Sequence, residues 1–164
     1  MKKGIFYVIT VILVLWIQMA INYFLGSSGF SMNVVLCAVL YFGLSRGPIV
    51  GESAGFAWGL LMDASSLGLL GLQAVLYAGA GFFAGILRRQ LDENKAWTQT
   101  IFTLAISIVY VLLFFVLDRL FSAGPHPISW SLVTQPFINA LTAPVIFWLL
   151  QRWSEFWDLV PLEE

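Results

Sequence analysis

Carboxyl groups are the first candidates for chemistry in this sequence. Glu52 and Asp63 stand eleven positions apart in one apolar stretch. Eleven residues make close to three helical turns, so a helix places both side chains on one face. The helical rise separates them by about 16 Å, whereas catalytic carboxylate pairs lie roughly 5–10 Å apart. We therefore do not expect the two residues to act as an acid–base pair.

Other residues that could do chemistry occur singly. Cys37, the only cysteine, lies in an apolar segment, where a small buried hydrophobic side chain is the expected role. His126, the only histidine, stands between two prolines, and a lone histidine is poor evidence for a metal site. Phosphate-binding glycine loops, metalloprotease motifs and serine-hydrolase motifs are absent from the sequence. We predict no catalytic residue, no cofactor and no metal, and hence no enzyme.

Asp63 has two open interpretations. It precedes the Ala-Ser-Ser of residues 64–66, at a tight connection where a carboxylate can accept backbone N–H bonds and cap the next helix. An ionisable residue beside a membrane span is also a functional hypothesis by default, so a binding or partner role stays open. Glu52 is expected to pair with Arg46, which lowers the cost of holding either charge near lipid.

Amide side chains form two pairs at a spacing of four residues. Gln18 and Asn22 make one pair, and Gln135 and Asn139 make the other. Amides inside membrane spans usually form hydrogen bonds to neighbouring helices. Packing between helices is the favoured interpretation, with a ligand pocket as the alternative.

The composition indicates what kind of elements must position these residues. The 164-residue chain is 60% hydrophobic and only 10% charged, whereas soluble domains carry about 25% charged residues. Residues 4–45, 64–87, 96–117 and 120–151 contain no charged side chain. Runs of this length are transmembrane candidates. We predict one all-α transmembrane domain over residues 1–164, and the net charge of −1 gives no support for nucleic-acid binding.

Six membrane-spanning helices are predicted, two of them short. A break at Ser-Arg-Gly-Pro, residues 45–48, divides one long apolar stretch, because proline is well tolerated at the first position of a new helix. The basic N-terminus resembles a secretory signal, but the apolar run is too long for one and is expected to be a retained span. The predicted helices cover residues 5–25, 31–45, 48–62, 67–87, 97–117 and 128–151.

The distribution of basic residues predicts the orientation. Cytoplasmic loops collect Lys and Arg. With six spans and the N-terminus inside, seven of the eight basic residues are cytoplasmic and only Arg119 is outside. Both termini are therefore expected in the cytoplasm.

Glycines mark one face of the third predicted helix. Gly51, Gly55 and Gly59 recur every four residues, and Gly81 and Gly85 repeat this spacing in the fourth. Small residues at this spacing let helix backbones approach closely in lipid. Packing within the chain is favoured over a partner-binding face.

Residues 45–89 resemble the rod shape-determining protein MreD family. That family typically shows a basic residue and Gly before the third helix, then a G-x-x-x-G-F-x-x-G-L-x-x-D run, an L-G-x-x-A-L-x-Y stretch and glycines before paired arginines. The matching residues here are Arg46, Gly47, Gly55, Phe56, Gly59, Leu60, Asp63, Gly71, Ala74, Tyr77, Gly81, Gly85, Arg88 and Arg89. Position 75 is Val where the family pattern has Leu, and Leu76 is adjacent.

The resemblance implies a non-catalytic scaffold of the bacterial inner membrane. MreD proteins belong to the cell-elongation machinery that builds the peptidoglycan side wall. They associate with MreC, and through it with MreB filaments, a SEDS glycosyltransferase and a penicillin-binding transpeptidase. Membrane lipid is expected around the protein. Partner-binding or structural roles are accordingly expected for eleven residues: Arg46, Gly47, Glu52, Gly55, Phe56, Gly59, Asp63, Gly71, Tyr77, Gly81 and Gly85.

One alternative function comes from a different class. MreD resembles the substrate-binding subunits of energy-coupling-factor vitamin transporters, which are also small six-helix membrane proteins. On that interpretation Asn22, Asp63, Trp130 and Gln135 would line an outward-facing pocket. The sparse outer loops, mainly Gly, Ser and Ala, favour the scaffold.

Overall fold

The chain folds entirely into α-helices over the residues that the structure describes. The structure is a computed structural model that describes residues 2–25, 30–65, 69–91, 95–121 and 130–157. The helices in chain order are α1 (Lys2–Leu25), α2 (Val34–Arg46), α3 (Pro48–Ser65), α4 (Leu72–Leu87), α5 (Ala96–Phe121) and α6 (Trp130–Phe156).

The predicted break between the second and third helices is confirmed. Gly47 adopts φ +92° between α2 and α3, a backbone conformation that glycine reaches without steric cost. Its N–H donates to the carbonyl of Gly43 at 2.9 Å and so closes the last turn of α2. Pro48 then opens α3, where its missing N–H costs nothing.

The short helix α2 forms the centre of the fold. All of its residues from Val34 to Ser45 are buried, and it contacts each of the other five helices. Its 13 residues extend about 20 Å, less than the thickness of a bilayer core. A helix that is apolar on every side must be enclosed, and here the other helices enclose it.

The three longest helices have the dimensions of membrane spans. α1, α5 and α6 are each long and apolar enough to cross a membrane. Large apolar side chains such as Trp16, Leu112 and Leu141 are exposed on them, as expected for helix surfaces that face lipid. The part of the chain that the structure describes therefore has the form of a membrane-embedded bundle.

The fourth helix is shorter than predicted. We expected a full-length span over residues 67–87, but α4 begins at Leu72 and has 16 residues. Residues 70 and 71 form a turn instead, in which the N–H of Gly71 binds a side chain of α3, as described below. The two short apolar helices are thus α2 and α4, rather than the second and third.

Both ends of the described chain lie together. The rings of Phe6 and Trp157 are 6.2 Å apart, and the indole N–H of Trp153 donates to the Thr10 hydroxyl at 3.0 Å. Arg46 donates to the Ser154 hydroxyl at 2.7 Å. We call this end of the bundle, where α1 begins and α6 ends, the basic end. The opposite end, where α1 ends and α2 begins, is the polar end.

Candidate functional site: a glycine contact and a buried polar network

The glycines of α3 and α4 pack against each other. A Cβ atom added to Gly51 would lie 2.5 Å from the carbonyl oxygen of Gly81, a separation that real side chains essentially never show. Cβ atoms at Gly55 and Gly59 would meet the backbone of Tyr77 and Ala74 in the same way. The favoured interpretation, packing within the chain, is thus confirmed, and α4 already covers this face.

The central helix joins the same contact. A Cβ atom on Gly43 of α2 would lie 2.5 Å from the Gly81 carbonyl oxygen, so α2, α3 and α4 meet at Gly81. A Cβ atom on Gly85 would meet the backbone of Pro48 and Gly47 at the basic end. Sequence reasoning missed Gly43, although its position four residues before Gly47 repeats the spacing of the other glycines.

Asp63 caps α4. Its carboxylate is buried and accepts backbone N–H bonds from Gly71 at 2.9 Å, Gln73 at 3.1 Å and Ala74 at 3.1 Å. The first N–H groups of a helix have no partner within the helix, and this carboxylate supplies one from α3. The capping interaction that was one of the two open interpretations is therefore present.

Gly71 gives the turn before α4 its shape. It has φ +97°, and its N–H points at Asp63. A residue with a Cβ atom pays a steric cost in this left-handed conformation. The glycine of the motif is therefore explained by local backbone geometry.

Tyr77 is the centre of a hydrogen-bond network at the polar end. Its hydroxyl accepts from the Asn33 amide at 2.8 Å and from the Tyr110 hydroxyl at 3.3 Å, and it donates to Gln73 Oε1 at 3.3 Å. The Tyr77 and Tyr110 rings stack with centroids 5.2 Å apart and 5° between their planes. Tyr77 thereby connects α4 to α5 and to the residue that precedes α2.

Side chains of α1 and α6, together with that of Asn33, satisfy the first backbone groups at the start of α2. Gln18 Oε1 accepts from the N–H of Val34 at 2.7 Å, and Asn139 Oδ1 accepts from the N–H of Asn33 at 2.8 Å. The Asn33 side chain accepts from the N–H of Leu36 at 2.9 Å. Gln18 and Asn139 therefore act between helices, as the favoured interpretation of the amide pairs predicted.

A cavity of about 170 Å³ lies beside this network. Asn22 and Gln135 line it, as the alternative transporter interpretation predicted. The other two residues of that prediction lie elsewhere: Asp63 is engaged by α4, and Trp130 has 71% of its surface exposed.

Several residues that the sequence singled out lie outside both the glycine contact and the buried polar network. Glu52 is exposed and, among the residues described, forms no ion pair with Arg46, whose guanidinium reaches Ser154 instead. The prediction of an Arg46–Glu52 pair was wrong, because Arg46 ends α2 facing α6. Phe56 is 51% exposed. Cys37 is fully buried, as predicted, and His126 lies outside the described residues.

Sequence reasoning also missed a polar stripe on α5. Gln99, Thr103, Ser107 and Tyr110 are all buried on its inner face, and the Ser107 hydroxyl accepts from Asn139 at 3.2 Å. Their spacing of four, four and three residues is the helical signal that could have found them. The rest of α5 is largely apolar, so this stripe marks the side that faces the bundle.

The described residues contain no group of three or more His, Cys, Asp or Glu that could hold a metal ion. Three of the helices in the described ranges are long and apolar enough to cross a membrane, which is the character of helical membrane proteins. A profile of the family described as rod shape-determining protein MreD matches residues 2–153. The chain belongs to the MreD family, whose role is in determining rod shape.

Comparison with curated proteins gave no match, and comparison with solved structures gave none either. The expected likeness to the substrate-binding subunits of energy-coupling-factor transporters therefore stays a prediction.

Proposed function

We propose that this protein is a non-catalytic scaffold of the bacterial cell-elongation complex in the inner membrane. It binds MreC and, directly or through MreC, helps to organise the SEDS glycosyltransferase and the penicillin-binding transpeptidase that build the peptidoglycan side wall. MreB filaments are indirect partners. The observation that carries this proposal is the family match over nearly the whole chain, residues 2–153.

The helix surfaces support contacts inside the membrane. The glycine face is occupied by the α3–α4 contact, so Gly51, Gly55 and Gly59 have a structural role. Glu52 and Phe56 stand one helical turn apart on α3, and both are exposed. They are the residues of the expected partner-binding set that remain accessible, so we assign them to the partner contact.

The arrangement of basic residues supports a cytoplasmic position for both termini. Arg46, Arg88 and Arg152 each stand at the end of a helix that finishes at the basic end, whereas Arg119 lies near the end of α5 at the polar end. Basic residues are retained on the cytoplasmic side. The polar end is then the outer end.

Affinity purification from native membranes tests the proposed function. The tagged protein is extracted in mild detergent, and co-purifying proteins are identified by mass spectrometry. We expect MreC and the elongation synthases with the wild type. Recovery of an energising ATPase module in place of MreC would contradict the scaffold and favour a transport subunit.

A variant pair tests the contact surface. Phe56→Ala is expected to reduce MreC recovery at least several-fold while the protein's abundance stays unchanged, because Phe56 has no large role in the internal packing. Phe137→Ala on α6 is the matched control, since Phe137 is 64% exposed on a different helix. Equal loss of MreC in both variants would argue against a specific contact at α3.

A further inference from the structure

Two arginines line a cavity at the basic end of the bundle. Arg88 and Arg89 follow directly after the last residue of α4. The cavity has a volume of about 340 Å³, and its described lining consists of these two residues with Pro48, Gly85 and Ile86. A Cβ atom on Gly85 would meet the backbone of Pro48, so the cavity lies where the end of α4 packs against the start of α3.

The Arg88 side chain reaches the connection between α2 and α3. Its Nη1 atom lies 3.2 Å from the position that a Cβ atom on Gly47 would occupy. Pro48, the next residue, opens α3, and the first turn of a helix carries a partial positive charge. Arg88 is partly buried, whereas Arg89 is exposed. Positive charge is therefore concentrated here and is accessible from outside the bundle.

The charged groups that line the cavity have one sign. Arg88 and Arg89 are its only charged lining residues within the described part of the chain. The sequence of residues 88–95 keeps a net positive charge, because Arg88, Arg89 and Lys95 outnumber Asp92 and Glu93. Each guanidinium has five N–H donors in a planar fork, so it can bind phosphate oxygens and still engage another group. The lining therefore fits a phosphate group.

One wall of the cavity continues into an apolar face of α4. Ile86, which lines the cavity, follows Phe82 by four residues and Val75 by eleven, so the three side chains share one face of the helix. They have 50%, 41% and 64% of their surface exposed, respectively. A free phosphate ion would gain nothing from this face. Acyl chains would cover it while their headgroup lies beside the arginines.

We propose that this cavity binds the phosphate of an anionic phospholipid, with Arg88 and Arg89 supplying the positive charge. The exposed face formed by Val75, Phe82 and Ile86 contacts the acyl chains. Basic pockets between transmembrane helices are a known way of binding anionic headgroups. This assignment goes beyond the proposed scaffold function and does not depend on it, because it concerns this chain and its lipid alone.

Lipid binding to the purified full chain tests the site. Native mass spectrometry from a neutral detergent counts the bound lipids while phosphatidylglycerol or phosphatidylcholine is added. Both lipids carry a phosphodiester, but choline compensates its charge in the second. We expect phosphatidylglycerol to bind at least about fivefold more tightly. Equal affinity for the two lipids would overturn the proposal, and so would displacement of phosphatidylglycerol by inorganic phosphate at millimolar concentration, which would indicate a site for a soluble anion.

Variants distinguish this cavity from the general charge of the basic end. Arg89→Gln is expected to lower the affinity for phosphatidylglycerol about fivefold, the effect of one arginine at an anionic surface, and to leave phosphatidylcholine binding unchanged. Arg88→Gln combined with Arg89→Gln should abolish the preference. Arg152→Gln is the matched control, since Arg152 is an exposed arginine on α6 at the same end, and it should keep the preference.

Two results with these variants would overturn the proposal. Arg89→Gln changes an exposed position, so it is expected to fold and can be tested even if the double variant does not accumulate. Full preference for phosphatidylglycerol in Arg89→Gln would exclude this cavity as the site. An equal loss in Arg89→Gln and Arg152→Gln would mean that the lipid responds to total charge rather than to the cavity.

Discussion

Asp63 links two helices through hydrogen bonds that its carboxylate accepts from backbone N–H groups. Both carboxylate oxygens accept hydrogen bonds. The donors are the backbone N–H groups of Gly71, Gln73 and Ala74. In a low-dielectric environment such bonds are electrostatically stronger than in water, and leaving them unmade is costly. The residue therefore determines where α4 begins and how the turn before it is held.

Replacing Asp63 tests this cap. We expect Asp63→Ala to lower the free energy of unfolding by about 2 kcal/mol, because buried N–H donors lose their acceptor. Asp63→Asn should lose about 1 kcal/mol, since an amide retains one acceptor oxygen. Unfolding of the purified protein by SDS titration in mixed micelles measures both changes.

Glu52→Ala is the control for the cap, because it removes an exposed carboxylate from the same helix. Exposed substitutions of this kind usually change stability by less than about 0.5 kcal/mol. If Asp63→Ala were as stable as Glu52→Ala, the three hydrogen bonds would contribute nothing measurable. Reduced MreC recovery by a fully stable Asp63→Asn would instead support the alternative role of its charge.

At the scale of elements, α3 and α4 form a closely packed helical pair. Glycines on both helices allow their backbones to touch, and Asp63 and Gly71 fix the connection. In lipid, packing rather than the hydrophobic effect drives helix association. Close approach is therefore the main stabilising term that this pair has available.

Adding one methyl group at the contact tests this description. Gly55→Ala is expected to destabilise the protein by about 1–3 kcal/mol, because the new Cβ atom would overlap the backbone of Tyr77. Gly79→Ala on α4 is the control, since a Cβ atom there meets nothing within 4 Å, and it should be neutral or stabilising by up to about 1 kcal/mol. SDS titration compares the two, and equal stability of both variants would refute the contact.

At the scale of the whole molecule, a short apolar helix is enclosed by longer ones. α2 has no lipid-facing side, so its ends must find hydrogen-bond partners inside the protein. Gln18, Asn33 and Asn139 provide them at the polar end. Because these partners come from α1 and α6 as well, the network specifies how distant parts of the chain assemble.

The predicted orientation can be measured with single introduced cysteines. Cys37 is fully buried, so the wild type should not react with a membrane-impermeant maleimide. Phe30→Cys, at the polar end, is expected to react in intact spheroplasts. Gln90→Cys, at the basic end, should react only after permeabilisation. Both positions are exposed in the fold, and the reverse pattern would mean that the termini face outward.

The sequence by itself determined the helices and their main division. Apolar runs without charge define helices, because backbone groups must be satisfied internally where water is absent. The Arg-Gly-Pro of residues 46–48 separates α2 from α3, because proline cannot continue a helix and the glycine adopts positive φ. The glycine face was predictable for the same reason, since a spacing of four residues needs only local helical geometry.

Only the tertiary structure decided what surrounds each helix. Asn33 and Tyr110 lie far apart in sequence, and both form hydrogen bonds with the Tyr77 hydroxyl. A local sequence pattern cannot predict contacts between residues so far apart. α4 begins at Leu72 rather than at residue 67, because Asp63 binds the turn before the helix. Helix propensity alone does not predict this contact. The Arg46 guanidinium donates to Ser154 and does not pair with Glu52, because α6 packs beside the end of α2. Helical periodicity gives the faces of each helix, whereas the partner of each face depends on how all six helices pack together.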